Sequence, residues 1–394
     1  MNRQEVYIVA AKRTPVGAFM GALSSKKAPE LGSIAIQAAL NEAGLRPEQV
    51  EETLMGNVLT AGVGQAPARQ ASLGAGIPQN VPCVTVNKVC GSGMQTVNMA
   101  AREIALGERD IIVAGGQESM SNAPFLADGM RQGLRLGNGK LVDSMIHDGL
   151  WDPYNDQHMG NCAELCAREK KFSREEQDEL AIESFKRAQR ATEQSLFKNE
   201  IAAIEIKGRK GDVTKVDQDE GPYKVKFEKV PQLKPVFDKD GTVTAANASS
   251  INDGAAALIL ASEKAVKENN LTPVAKVVAY AGHAQAPEWF TTAPVTALSS
   301  LLKKTNWKAE DVDSFEINEA FAVVSLAAQR DLGLDASKVN PWGGGISLGH
   351  PIGASGARIL VTLLNYLKTN QKKKGAAGIC IGGGEALATA VEMV

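Results

Sequence analysis

The chain has 394 residues, of which 44% are hydrophobic and 22% charged, a composition that gives an ordinary globular protein material for two or three domains. A net charge of −2 excludes the broad basic footprint of a nucleic-acid binder, and no apolar run reaches the roughly 18 residues of a membrane span. Five cysteines, Cys83, Cys90, Cys162, Cys166 and Cys380, odd in number and scattered, fit a reduced compartment in which cysteine serves as core filler, metal ligand or nucleophile.

The opening "MNRQEVYIVAAKRTP" has a short apolar stretch behind Glu5 and reads as a first strand rather than a signal or transit peptide. The terminal "VEMV" is no peroxisomal address, so a cytoplasmic location is expected. After the strand at 5–11, "LGSIAIQAALNEAG" (31–44) predicts an amphipathic helix ending at Gly44, and 50–59 a strand region. "VPCVTVN" (81–87), "GMQTVNMAAREIALG" (93–107) and "RDIIVAGG" (109–116) predict strand, helix and buried strand. From about 121 to 250 the sequence turns irregular and charged. One clear helix there is opened by the capping box "SREE" at 173–176. Helices at 293–307 and 356–370 and strands at 312–318 and 375–388 follow. "LNEAGLRPEQVEE" (40–52) runs parallel to "LKKTNWKAEDVDS" (302–314), and "IIVAGGQES" (111–119) to "GICIGGGEA" (378–386). The same events in the same order predict a duplicated α/β unit.

Four places carry chemistry. Cys90 stands at a strand-to-helix turn, where free amides and the helix dipole favour a thiolate and could hold an oxyanion; the alternative is a small buried residue in a tight turn. His350, among the glycines of "PWGGGISLGHPIGASGARIL", reads as a proton acceptor for such a thiol or as a buried loop histidine. Cys380, before the glycines of "CIGGGEA", reads on its own as core filler. Asn318 in "EINEAFA" reads as the holder of an ordered water or as a helix cap. His158, Cys162 and Cys166, four apart, would share a helix face, but a structural zinc site needs a fourth ligand, and none is evident.

Taken together, "NKVCGSGMQ", "NEAFA", "GGGISLGHPIGASGAR" and "CIGGGEA", in that order, with "AGGQESMS", "HMG" and "NASSINDGAAA", resemble the thiolase family. The resemblance runs from "RTPVGAF" (13–19) to the last strand. It implies an α/β fold of two βαβαβαββ halves in a five-layered α-β-α-β-α core with an inserted loop domain. The expected partition is residues 1–120 with 251–272, an inserted lobe at 121–250, and 273–394. It implies acyl transfer to and from coenzyme A, with Cys90 as the acylated nucleophile and His350 as its base. Cys380 would be the second acid/base and Asn318 the holder of a water in one oxyanion hole. The amides of Cys90 and Gly382 would form the other. Leu150, His158, Met159, Ser249, Ala320 and Phe321 resemble the substrate contacts of short-chain members acting on acetyl-CoA and acetoacetyl-CoA. Phe290 in "APEWFTTAPV" resembles members that also accept 2-methylacetoacetyl-CoA. No cofactor is required beyond the coenzyme A thioesters, which are substrates, and no metal ligand is assigned. Some relatives hold a potassium ion near "TAANAS", and the tyrosine that would complete such a site is not evident here. A homodimer or homotetramer is implied. The other readings are a degradative 3-ketoacyl-CoA thiolase of broader chain length, a decarboxylating or hydroxymethylglutaryl-type synthase, against which Cys380 speaks, and an idle scaffolding relative, which should have lost one of the four residues.

Overall fold

The structure is a computed structural model that describes residues 4–208 and 211–394. Nine principal strands occur along the chain: β1 (Val6–Arg13), β2 (Glu52–Gly56), β3 (Cys83–Val86), β4 (Ile111–Ser119), β5 (Asn252–Ser262), β6 (Ala275–Ala284), β7 (Ser314–Ile317), β8 (Lys374–Ile381) and β9 (Glu385–Met393). The principal helices are α1 (Ala28–Ala43), α2 (Pro67–Gly74), α3 (Ser92–Leu106), α4 (Met159–Lys170), α5 (Arg174–Glu193), α6 (Ala293–Thr305), α7 (Ala322–Leu332) and α8 (Ile352–Thr369). Hydrogen bonds connect the strands in the order β7-β8-β9-β6-β1-β5-β4-β2-β3, with Gly17–Ala18 added beside β5. The two half-sheets therefore form one continuous path. They meet at β1 and β6 through only two residue pairs, Tyr7–Lys276 and Ile8–Ala275.

Alternation along the strands builds the layers, because successive side chains point to opposite faces. In β5, Ala255, Ala257, Ile259 and Ala261 pack with α1 and α2, while Ala256, Leu258 and Leu260 face α3 and α8. In β8, Ala376 and Cys380 pack with α6 and α7, while Ala377, Ile379 and Ile381 face the same α3 and α8. The result is helices, half-sheet, two central helices, half-sheet, helices. The middle segment carries two helices, α4 and α5, where the sequence showed one clear helix, together with three short strand pairs.

Duplication extends to irregular details. Both α1 and α6 end on a left-handed residue, Gly44 and Asn306, and a 3-10 turn follows each, at 47–49 and 309–311. Each half also carries a β-bulge at the same place in its register, between Ile8 and Ala10 in one and Val277 and Ala279 in the other. The second likeness read from sequence is displaced. Thr53, the counterpart of Phe315, pairs with Val113, whereas Phe315 pairs with Ala376. Four residues further along stand Gln117 and Cys380, so these two are equivalent and Val113 and Cys380 are not. The second half also lacks a full third strand. Only an isolated bridge, Phe315–Val339, remains. Pro341, with no N–H to donate, and the glycines beyond it follow at once and do not extend the ladder.

The central helices cross where neither can carry a side chain. A Cβ on Gly93 would lie 2.8 Å from the Ala357 nitrogen, and one on Gly356 2.5 Å from the Met94 nitrogen. Both obstacles are backbone and cannot swing away. Gly93→Ala should therefore destabilise the protein by about 2 kcal/mol, overpacking outweighing the better helix propensity of alanine. Scanning fluorimetry would register this as a lower unfolding temperature; an unchanged midpoint would show that the helices can slide apart.

Candidate active site

The turn before α3 is built from short-range bonds. The Lys88 amide donates to Ser92 Oγ at 2.8 Å, and that hydroxyl donates to the Val89 carbonyl at 2.6 Å. Val89 is forced to φ +43°, a costly conformation for a β-branched residue. The kink presents Cys90 just ahead of α3. Two amides, that of Gly382 and its own, lie close to the Cys90 sulfur and act to lower its pKa. These favour a thiolate, as the sequence suggested, but burial dominates. Helped by the charge of Glu118, it pushes the thiol up to about 11. The expected lowered pKa is thus corrected in direction: although Cys90 keeps some exposed surface, desolvation outweighs the two amides and favours a neutral thiol.

Cys380 is the last residue but one of β8, fully buried. Burial first, and then the proximity of Cys90, hold its thiol well above the usual range, while the Ala320 amide opposes them. The two sulfurs and the Gly382 and Ala320 amides therefore converge. Met159 faces the same point, its sulfur 3.3 Å from where a Cβ on Gly382 would stand.

His350 is buried in the loop before α8. Burial, and secondarily the charge of Arg358, lower its pKa to about 3, so the imidazole is neutral. Its tautomer follows from its partners. Ser355 Oγ lies 2.6 Å from Nδ1 and also donates to the Pro351 carbonyl at 2.9 Å. A hydroxyl has one proton; with it on the Pro351 carbonyl, Ser355 accepts from Nδ1–H and Nε2 is left bare as a base. The His350 amide donates to Asn252 Oδ1 at 2.9 Å, which fixes the loop. Asn318 Nδ2 approaches both ring nitrogens at 3.5 Å. Its Oδ1, fully buried, has no protein partner, the arrangement that calls for an ordered donor. No hydrogen bond joins Cys90 to His350 among the described residues.

Buried acids hold these loops. Glu319 accepts from Ser184 Oγ and Asn340 Nδ2 at 2.7 and 2.8 Å, and a Cβ on Gly344 would meet its carboxyl at 2.3 Å. Glu118 accepts from Asn57 Nδ2 and from the amides of Val58, Leu59 and Gly353, joining the loop after β2 to the start of α8. Burial raises it to about 7 against those four donors. It lies within "AGGQESMS". Nothing in its sequence context marks it, since its partners come from distant segments.

The remaining candidates gather around this centre. Leu150 and Cys90 both pack against the buried cluster of Val58, Leu59 and Ile352. Met159, Phe290, Ala320, Phe321 and Cys380 share one cluster. Ser249 donates its amide to the Ala320 carbonyl at 2.9 Å. His158 does not share a face with Cys162 and Cys166. It caps α4, its Nδ1 accepting from the Gly160 amide at 3.0 Å, because its backbone is still extended there. Its ring stacks on Phe237 at 4.7 Å, and Phe237 and Phe290 each meet Phe321 edge-on at 6.2 Å. Phe237 was missed in sequence; the only signal was an aromatic just before the turn "KDGT". A groove of about 720 Å³ runs past Phe237 and Ser249 to Asn252, with Lys224, Lys226 and Lys229 along its outer part.

Two thiols, a neutral imidazole with a free nitrogen, and two amides aimed at one sulfur are the equipment of acyl transfer. Comparison with known proteins agrees. Residues 6–264 match the thiolase N-terminal domain and residues 271–393 the thiolase C-terminal domain. The chain belongs to the thiolase family. It is 52% identical to acetyl-CoA acetyltransferase 2 of Arabidopsis thaliana, over all of this chain and 98% of that protein. It superposes on the Bacillus anthracis acetyl-CoA acetyltransferase with a TM-score of 0.97 at 40% identity, over the whole of both chains. On the Acat5 thiolase of Ascaris suum in complex with coenzyme A, the TM-score is 0.94 at 44% identity, over 99% of this chain and 100% of that one.

Proposed function

We propose that the protein is an acetyl-CoA C-acetyltransferase, which interconverts two acetyl-CoA with acetoacetyl-CoA and coenzyme A through an acetyl-Cys90 intermediate. The observation that carries this is the meeting of Cys90, Cys380 and the Gly382 amide at one point, with the bare Nε2 of His350 on the adjoining loop. In the breakdown direction Cys90 attacks the keto carbon while His350 takes the thiol proton. The oxyanion rests between the amides of Cys90 and Gly382. The carbon–carbon bond then breaks, and the enolate takes the proton of Cys380 at its α-carbon and leaves as acetyl-CoA. Its oxygen is held meanwhile by the imidazolium and by a water on Asn318. Coenzyme A next attacks acetyl-Cys90; its thiol proton and the imidazolium proton restore both protein thiols. A neutral Cys380 suits this step, since it must donate.

The groove supports a coenzyme A arm, with its lysines toward the phosphates and Ser249 and Phe237 along the pantetheine. The aromatic wall of Phe237, Phe321 and Phe290 supports a short acyl pocket, and Leu150, His158 and Met159 border it. The same reading takes the chain as a cytoplasmic homodimer or homotetramer. Strand β3 has a neighbour on one side only, and Phe125 and Leu141 are exposed on a protruding hairpin. No helix among the described residues is long and apolar enough to cross a membrane.

Thiolysis rates separate this from a degradative enzyme of broader chain length. Acetoacetyl-CoA should exceed a long-chain 3-ketoacyl-CoA in kcat/KM by about a hundredfold, the scale on which a closed pocket rejects excess methylenes. A preference for the long substrate would overturn the short-chain assignment and leave the thiolase chemistry in place.

A further inference from the structure

Cys90 and Gly382 lie on different halves of the molecule, and both amides must point at one oxygen. Little in the backbone fixes their separation. The Gly382 amide lies close to the Cys90 sulfur, and no main-chain hydrogen bond links the turn at 87–91 to the turn at 382–384 among the described residues. The second turn is three glycines, with Gly383 at φ +90° and Gly384 at +84°, conformations that glycine adopts without strain, and it is tied to its own half, where the Gln285 amide donates to the Gly384 carbonyl. Yet among the described residues a single side-chain hydrogen bond spans the gap. Lys88 Nζ lies 2.5 Å from Glu385 Oε2, with the two side chains 27% and 39% exposed. Lys88 precedes the strained Val89 and Cys90. Glu385 opens β9 and pairs with Ile381 across the glycine turn.

We propose that Lys88 and Glu385 are positioning residues, a clamp across the two halves that holds the Cys90 and Gly382 amides at the spacing an oxyanion needs. The inference rests on the thiolase reading above. Such a pair touches neither substrate nor reacting atoms. Its effect appears in the transition state, where a misplaced donor is felt most. An exposed ion pair adds little to stability, so the clamp separates from a merely structural role.

The experiment uses the full chain with acetyl-CoA, measuring acetylation of Cys90 by quench and intact mass, and thiolysis of acetoacetyl-CoA at steady state. Lys88→Met and Glu385→Gln should each lower the acetylation rate and kcat about tenfold, a fraction of the effect of deleting an oxyanion donor, with KM nearly unchanged. The double variant should be no worse than either single one, since each breaks the same link. The reversed pair, Lys88→Glu with Glu385→Lys, should recover most of the rate. Three results would overturn the clamp: wild-type rates in both single variants, additive losses, or KM shifts of opposite sign in the two, which would mark Lys88 as a simple attractor for the anionic substrate. Failure of the wild type to take up acetyl would instead strike the underlying reading, and the clamp with it.

Discussion

Cys90→Ser will take up no acetyl group from acetyl-CoA, and wild type will take up one, at Cys90, as read by intact mass and peptide mapping. The expected loss in turnover is at least about ten-thousandfold, because a covalent step is removed and not merely slowed. The argument rests on two features of the site. A cysteine thioester lies close in energy to the coenzyme A thioester, so transfer onto sulfur is nearly balanced, while an ester at serine would form slowly and then persist. The turn also places two amides near the sulfur, which on the proposed reading receive the oxygen of a tetrahedral adduct. Serine is smaller and fits the same turn, so the variant should keep the wild-type fold and unfolding temperature. An acetylated Cys90→Ser chain, or label found on Cys380, would remove Cys90 from the centre of the reaction.

His350→Ala should lower kcat/KM by about a thousandfold, within the range for loss of a general acid–base group. With the thiol held up at about 11 and the imidazole down at about 3, the resting site does not form a thiolate–imidazolium pair. The proton must move as the carbon–sulfur bond forms, so the base has to be in place at that moment. Ser355→Ala should show a smaller loss, since it frees the ring to present the wrong nitrogen while leaving the base. His350 also bears on acid stability. Its folded pKa is depressed, so below the ordinary 6.5 the unfolded chain accepts a proton that the folded residue refuses down to about 3. Stability is therefore lost as the pH falls through that window, and His350→Ala should unfold less steeply with acid there. Stopped-flow thiolysis and melting curves against pH would check both parts; a kcat/KM within tenfold of wild type would rule His350 out as the base.

Much of the architecture could be read from the order of strand- and helix-forming segments, since alternation and capping act locally. "SREE" indeed caps α5, with Ser173 and Glu176 bonded reciprocally. What escaped depends on register and burial. The equivalence of Gln117 and Cys380 follows from strand pairing, which glycine-rich likeness between "IIVAGGQES" and "GICIGGGEA" misplaced. The direction of the Cys90 pKa depends on how deeply the thiol is desolvated, and a turn sequence carries no measure of depth. Ser355 lies in "GHPIGASGAR", but its bond to His350 depends on the first turn of α8 folding back beneath the loop. Glu118 and Phe237 are brought to the site from afar by tertiary packing alone. The four residues singled out first were visible because each sits at a strand end or helix start among small residues, where chain geometry leaves a side chain and free amides together.

The seam between the half-sheets, only two residue pairs wide, has a mechanical consequence. With so few backbone bonds crossing it, cohesion between the halves falls to the interlocked central helices and their glycine contacts. Cys90 belongs to one side of that seam, and Cys380, Gly382 and His350 to the other. The distance between the two groups thus depends on side-chain volume in a core some way from the chemistry as well as on the Lys88–Glu385 pair beside it. A close-packed interior transmits small volume changes rather than absorbing them. The enzyme's working gap is gauged by the thickness of its middle layer, so a substitution deep between α3 and α8 can detune the reaction without touching any group that takes part in it.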